Sequence, residues 1–237
     1  MKTIISKGVM RSGNVLLRLI LNHIFNESNA EGTYFYNYRF FAGNVNINST
    51  EGIKNMPDPN LHGYENISMN NILVIPWRDP RDSIISYIRT EFSKTHTDKF
   101  PTKEYILENC KKTANEQMEV FENIIKMSNQ HPKNNLLELK YEKFHNDFYF
   151  LYDKFEEFFK IKLHVIVKEN IIRIFNKKET INHQKQFSNF NTFDNTSWVH
   201  GDHVYQGDNN WKEVLTPEML DIINPILDPY IKKWESL

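Results

Sequence analysis

The sequence predicts an α/β fold in which helices cover a central parallel sheet, and three observations predict it. Aliphatic and β-branched runs of strand length occur at residues 3–9, 71–77 and 135–140; each is followed by apolar residues at helical spacing; and the alternation repeats along the chain. Parallel strands need crossover helices of this kind. With 237 residues, 40% of them hydrophobic and 14% aromatic, there is material for one well-buried core, and collagen-like repeats and extended disorder are excluded. We expect a single domain over residues 1–237, with a sheet on the scale of about five strands.

Thr3-Ile4-Ile5-Ser6-Lys7-Gly8-Val9 is the first strand-like run, and Leu16, Leu17, Ile20, Leu21 and Ile24 then mark a helix over Val15 to Phe25. Residues 26 to about 70, rich in Asn, Gly, Pro and Tyr, have weak periodicity and read as a long irregular excursion, a feature that in a compact domain usually carries function. Asn71 to Trp77 is a buried strand. Arg78-Asp79-Pro80-Arg81-Asp82 opens the next helix, with Asp79 as N-cap, Pro80 at the first helical position and Asp82 in the first turn; Ile84, Ile85 and Ile88 carry it to about Phe92. Thr102 to Met127 is a long amphipathic helix, Asn135 to Lys140 the third strand and Phe148 to Phe159 a helix. The aromatics of that last helix, interleaved with Asp153, Glu156 and Glu157, read as a packed face rather than a platform for bases. The rest is helical near 168–178, irregular from about 180 to 210, and helical from Pro217 to Trp234.

Charge and cysteine content narrow the function. Lys plus Arg total 29 against 30 for Asp plus Glu, a net charge of −1, so no global positive field draws in nucleic acid or a membrane, and any anion must meet a local site. The lone Cys110 can form neither an internal disulfide nor a cysteine zinc cluster. No apolar run approaches the roughly 20 residues of a spanning helix, and Met1 to Gly13 lacks the apolar core of a secretory signal. The expectation is a soluble, cytoplasmic protein with no nucleic-acid and no membrane partner. Asn-x-Ser/Thr triplets at Asn26, Asn48, Asn66 and Asn195 are expected by chance in so Asn-rich a chain.

In an open parallel sheet, ligands sit where strands end and helices begin. At the first such junction Gly8 and Gly13 have the spacing of a phosphate-cradling loop. A nucleoside triphosphatase places Lys and then Ser or Thr after the second glycine, for terminal phosphates and Mg²⁺; here Asn14 and Val15 follow, and the cation, Arg11, lies inside the loop. The loop is therefore either a phosphate cradle without an evident metal ligand or a tight turn with no ligand. At the second junction Arg78 ends a strand and Ser86 lies two turns into the next helix, an arrangement suited to a second phosphate, or to a cap with surface ion pairs.

These residues carry a family resemblance. Met10-Arg11-Ser12-Gly13-Asn14-Val15-Leu16-Leu17-Arg18 resembles the 5′-phosphosulfate loop of sulfotransferases, and Arg78-Asp79-Pro80-Arg81-Asp82-Ser83-Ile84-Ile85-Ser86 resembles their 3′-phosphate motif. Tyr141-Glu142-Lys143-Phe144 is similar to the Tyr-Glu-Asp-Leu segment after the third strand, and Gln206-Gly207-Asp208-Asn209-Asn210-Trp211-Lys212 to the late Gly-x-x-Gly-Asp-Trp-Lys loop. The four matches occur in order over most of the chain. The resemblance implies a P-loop, nucleotide-kinase-like three-layer fold of the soluble type. It also implies 3′-phosphoadenosine 5′-phosphosulfate (PAPS) as sulfuryl donor, adenosine 3′,5′-bisphosphate (PAP) as product, and no metal. By position, Arg11 would stabilise charge on the leaving phosphate, Ser12, Gly13, Asn14 and Val15 would bind the 5′-phosphate mainly through backbone N–H groups, and Arg78 and Ser86 would bind the 3′-phosphate. Tyr141 would contact the adenosine side, and Gln206 with Gly207 would close over the nucleotide.

The chain departs from the family pattern in three places. Val15 and Leu16 replace a Thr and an adenine-stacking Trp, Tyr205-Gln206-Gly207 replaces Arg-Lys-Gly, and Met56 stands where many members have the basic His. Because a base must still reach the acceptor, His62 in the same excursion, with Asp58 behind it, is the candidate, and Lys54 matches the family Lys near the transferred group. His200-Gly201-Asp202-His203 lacks the spacing of a metal site. The acceptor is expected to be a hydroxyl or amine of a small molecule, held by the 26–70 excursion and the 180–210 stretch. A kinase would need Lys-Ser/Thr after Gly13; a nucleotide-binding module without sulfuryl transfer is the alternative that Met56 and the cation-poor late loop favour. The family's C-terminal dimer motif is matched only degenerately at Lys212, Thr216 and Asp221, which leaves the oligomeric state unknown.

Overall fold

The computed structural model describes residues 2–9, 11–27, 38–40, 68–96, 100–188, 192, 194, 199, 201 and 210–237. Four strands, β1 (Lys2–Ser6), β2 (Tyr38–Phe40), β3 (Ile72–Trp77) and β4 (Leu136–Lys140), form an all-parallel sheet in the order β2-β1-β3-β4. Ile4 pairs with Ile72 and Ser6 with Val74, while Leu73 to Trp77 run beside Leu136 to Lys140. The chain starts in the middle of the sheet, steps out to β2 and returns across β1 to β3. The carboxyl ends of β1 and β3 therefore flank a reversal of strand order, which is where a parallel sheet opens a crevice for ligands.

Alternation of side chains along the strands builds two cores. Ile5, Leu73, Ile75 and Trp77 face a layer made by α2 (Pro80–Thr95), α3 (Lys103–Gln130) and the C-terminal helix, whereas Ile4, Ile72, Val74 and Leu139 face α1 (Asn14–Asn22), α5 (Phe148–Phe159) and α6 (Val165–Phe175). The result is a three-layer sandwich. Every residue of β3 is buried, which explains its unbroken apolar run. The aromatics of α5 behave as a packed face: Tyr152, Phe155 and Phe159 are buried in the second core.

Side-chain caps fix the helix starts, and that of α2 is the one expected from the sequence. Asp79 accepts from the Arg81 N–H with Pro80 at the first helical position, Thr102 caps α3, and Asp147 caps α5. Three expectations need correction. Residues 26–70 read as wholly irregular, yet β2 lies inside them; three residues are too few to show a period of two, and β2 is identified only by pairing with β1, Lys2 with Tyr38 to Ile4 with Phe40. The helix expected at 168–178 is two, α6 and α7 (Lys177–Gln184), because Asn176 ends one with extended backbone and caps the other by accepting from Glu179 N–H. Helix α7 also extends into the stretch read as irregular from about 180. After β4 come α4 (Tyr141–Phe144) and, later, α8 (Trp211–Val214) and α9 (Pro217–Glu235). Among the described residues no helix is long and apolar enough to cross a membrane.

Candidate active site

The β1–α1 loop is folded by two left-handed residues, Arg11 at φ 67° and Gly13 at φ 88°. A Cβ on Gly13 would collide with the Tyr141 ring, so glycine is needed there for both conformation and space. Side chains engage three of the loop's carbonyls. Asn14 Nδ2 donates to Gly8 O (2.9 Å) and Val9 O (2.7 Å), the buried Ser12 hydroxyl donates to Val9 O (2.8 Å), and Arg78 Nη1 donates to Arg11 O (3.0 Å). Helix α1 makes its first bond from Leu17 N–H to Gly13 O, so the amides of Asn14, Val15 and Leu16 precede its ladder. Carbonyls engaged by side chains and helix-start amides with no partner in the helix are the parts of which an anion-binding loop is made.

Arg78 lies just past β3, and Asp79 anchors the start of α2. Its carboxylate, 3% exposed as a residue, accepts from Arg81 N (3.0 Å), Nε (2.8 Å) and Nη2 (2.7 Å) and from Trp211 Nε1 (2.9 Å). The Trp211 backbone N–H donates to Asp82 Oδ1 at 2.7 Å, and the Arg81 guanidinium lies 4.0 Å from the Trp211 ring centroid. Burial pushes the Asp82 carboxyl up to about 6, outweighing the stabilising Arg78 charge and Trp211 N–H. Behind this junction Glu142 accepts from Asp79 N–H at 2.8 Å and from Trp234 Nε1 at 3.3 Å, tying α9 to the start of α2.

The two junctions meet. Arg11 Nε donates to Ser86 Oγ at 3.0 Å, so the guanidinium of the first loop reaches the hydroxyl of the second motif. Burial lowers the Arg11 guanidinium to about 10, with repulsion from Arg78 and Arg89 adding to the effect. Tyr141 covers Gly13, lies 5.0 Å below the Arg78 guanidinium and stacks on His145 at 4.5 Å. Burial raises its phenol above the ordinary value.

Arg11, Gly13, Asn14, Val15, Arg78, Ser86 and Tyr141, the residues singled out from the two junctions and the segment after β4, line one cleft of about 830 Å³. Ser12 lies beneath it, fully buried, with its N–H as well as its hydroxyl directed to Val9 O. Lys54, His62, Gln206 and Gly207 lie outside the described residues, as do Met56, His200, Asp202 and His203. Among the described residues, no three His, Cys, Asp or Glu side chains are grouped to hold a metal. Sequence reading missed Arg89, Arg173 and His145, which also line the cleft. Arg89 had a signal, since it falls one turn after Ser86 on the same helix face. Arg173 had none, because α6 reaches the cleft only through tertiary packing.

No curated protein matches the sequence. Among solved structures, that of mouse sulfotransferase SULT7A1 complexed with PAP shares the fold, with a TM-score of 0.56 at 16% identity over 99% of this chain and 88% of that one. The sulfotransferase-domain family model matches residues 2–235, nearly the full sequence, and this chain belongs to the sulfotransferase family.

Proposed function

We propose that the chain transfers a sulfuryl group from PAPS to a hydroxyl or amine of a small-molecule acceptor, using no metal. One observation carries the reading: the cleft unites the β1–α1 loop and its Arg11 with Arg78 and Ser86, contributed by two adjacent strand-to-helix junctions. The donor set fits an oxyanion ligand. Arg11, Arg78 and Arg89 are near enough for mutual repulsion to lower the Arg11 guanidinium, and an anion among them reverses the sign of that interaction. The Lys-Ser/Thr pair that a Mg²⁺-triphosphate site uses is absent from positions 14 and 15.

The amides of Gly13, Asn14 and Val15 bind the 5′-phosphate, with Ser12 holding the loop's shape from below. Arg78 and Ser86 bind the 3′-phosphate, and Tyr141 borders the adenosine. When bound, the donor supplies a sulfonate on a phosphate leaving group: the acceptor atom bonds to sulfur as the bridging S–O bond breaks, and the acceptor's proton passes to a base. Arg11 holds positive charge where the leaving oxygen becomes negative, the electrostatic form of catalysis. His62 takes the proton, Lys54 stands near the transferred group, and Gln206 with Gly207 closes over the nucleotide. The lone Cys110, buried in the core, needs no oxidising compartment and accords with a cytoplasmic setting.

Calorimetric titration with PAP, with and without Mg²⁺, tests the donor assignment. Binding is expected to be independent of metal and weakened about 100-fold in Arg78→Ala, through loss of charge-assisted hydrogen bonds to phosphate. Binding of ATP only with Mg²⁺, or an unchanged affinity in Arg78→Ala, would sink the reading. Undiminished turnover in His62→Ala would remove that residue as base.

A further inference from the structure

PAPS carries about four negative charges, two on the 3′-phosphate and two on the phosphosulfate. The assigned side chains bring two guanidinium groups to it, Arg11 and Arg78, and the segment expected to close over the nucleotide, Tyr205-Gln206-Gly207-Asp208-Asn209, contains no cation. A third guanidinium faces the same cleft. Asp82, Ser86 and Arg89 recur at i, i+4 and i+7 on α2, so they share one face of that helix, and all three line the cleft. Arg89 is partly buried, and its charge is felt at Arg11, on the phosphosulfate side of the assigned site. The charges felt at Tyr141, on the adenosine side, include those of Arg78 and Arg11. Arg11, from the first junction, is thus influenced by two arginines of the second, Arg78 at the end of β3 and Arg89 on α2.

We propose that Arg89 is a third anion-binding residue of the donor site, which with Arg11 and Arg78 supplies the positive charge that residues 205–209 do not. Its ligand is a phosphate oxygen of the donor, on the 5′ or the 3′ side. This rests on the donor assignment made above. Arginine suits the role because a planar guanidinium grips two oxygens of one oxyanion and keeps its charge when partly desolvated.

Titration calorimetry on the full chain tests the proposal, with PAP and with adenosine 5′-phosphosulfate, which lacks the 3′-phosphate, each at low and high salt. Arg89→Met is expected to weaken PAP about 10- to 100-fold and to make the affinity less sensitive to salt. Arg89→Lys, which keeps the charge, is expected to recover most of the loss, and thermal melting checks that each variant is folded; Arg89→Gln serves if the Met variant is not. A loss seen with both nucleotides places Arg89 at the phosphosulfate end, and a loss seen with PAP alone places it at the 3′-phosphate. PAP affinity within two-fold of the native chain in Arg89→Met and Arg89→Gln overturns the proposal, as does a defect confined to the KM of the acceptor. Failure of the native chain itself to bind PAP refutes the donor assignment, a result separate from any behaviour of the Arg89 variants.

Discussion

Asp79 and Trp211 lie 132 positions apart, and their hydrogen bond, beside that from Trp211 N–H to Asp82, fastens the segment after residues 202–209 to the second junction. In Asp79→Ala four donors lose their acceptor. The cap of α2 is worth about 1 kcal/mol, the indole N–H left without its partner about 1–2 kcal/mol, and the Arg81 guanidinium, whose side chain is 13% exposed, about 3 kcal/mol. The terms share one carboxylate and overlap, so the expected loss of stability is about 4 kcal/mol. Trp211→Phe removes one donor but leaves a ring under Arg81, which predicts about 1–2 kcal/mol. Urea denaturation followed by circular dichroism on both single variants and the double variant gives the pairwise coupling, expected at about 1–2 kcal/mol. Because Arg78 adjoins Asp79, PAP affinity should fall in Asp79→Ala by about ten-fold. Additive losses, with coupling under about 0.3 kcal/mol, would refute the claim that this bond joins the two segments.

Gly13→Ala must place a side chain at φ 88° and against Tyr141; a loss of about 2 kcal/mol, seen as melting lowered by about 4–8 °C, is expected, and unchanged melting would contradict the packing described. Asp82 gives a pH signature. Its folded-state carboxyl titrates near 6 against an ordinary 3.8, so between those values the folded chain holds a proton that the unfolded chain has lost, and this contribution to stability falls as pH rises from about 4 to 6. Asp82→Asn, which keeps an oxygen for the Trp211 N–H, should therefore stabilise the chain by about 1 kcal/mol more at pH 7 than at pH 5, after allowance for solvent screening; urea titrations at the two pH values check the sign.

What was legible in the sequence follows from the range of the forces involved. The β3–α2 junction could be read because its signals are local: an apolar run buried on both faces, then Asp79 as cap and Pro80 at the first turn. The loop from Gly8 to Gly13 was legible from its glycine spacing, and the structure adds the reason for Gly13, a left-handed backbone at φ 88°. Strand β2 was not, because three residues carry no periodicity and its identity comes from pairing with β1. The break at Asn176 was visible only as a residue type, since the same Asn serves as helix interior in other contexts. The wiring of the site was beyond sequence reading altogether. Arg11 with Ser86, Arg78 with the Arg11 carbonyl, and Glu142 between Asp79 and Trp234 are contacts across 63 to 92 positions, produced by the order of strands in the sheet.

That wiring accounts for the choice of arginine at position 11. Its surroundings lower the guanidinium from its ordinary value to about 10, a shift without consequence at neutral pH because the group stays fully charged. A lysine starts near 10.4, and the same burial and repulsion would carry it down toward the working range. Arg11→Lys should therefore bind PAP well at pH 7 and lose affinity as pH rises toward 9.5, approaching ten-fold for each pH step once the lysine titrates, while the native chain stays nearly level because the phosphates of PAP are fully ionised there. Calorimetric titration with PAP from pH 7 to 9.5 measures both profiles, and a level profile for Arg11→Lys would show that the loop does not desolvate its cation. A falling profile for Arg11→Lys beside a level native profile would place the charge at position 11 close enough to couple to the bound nucleotide, since the affinity of an anion declines with pH where a cation coupled to it gives up a proton.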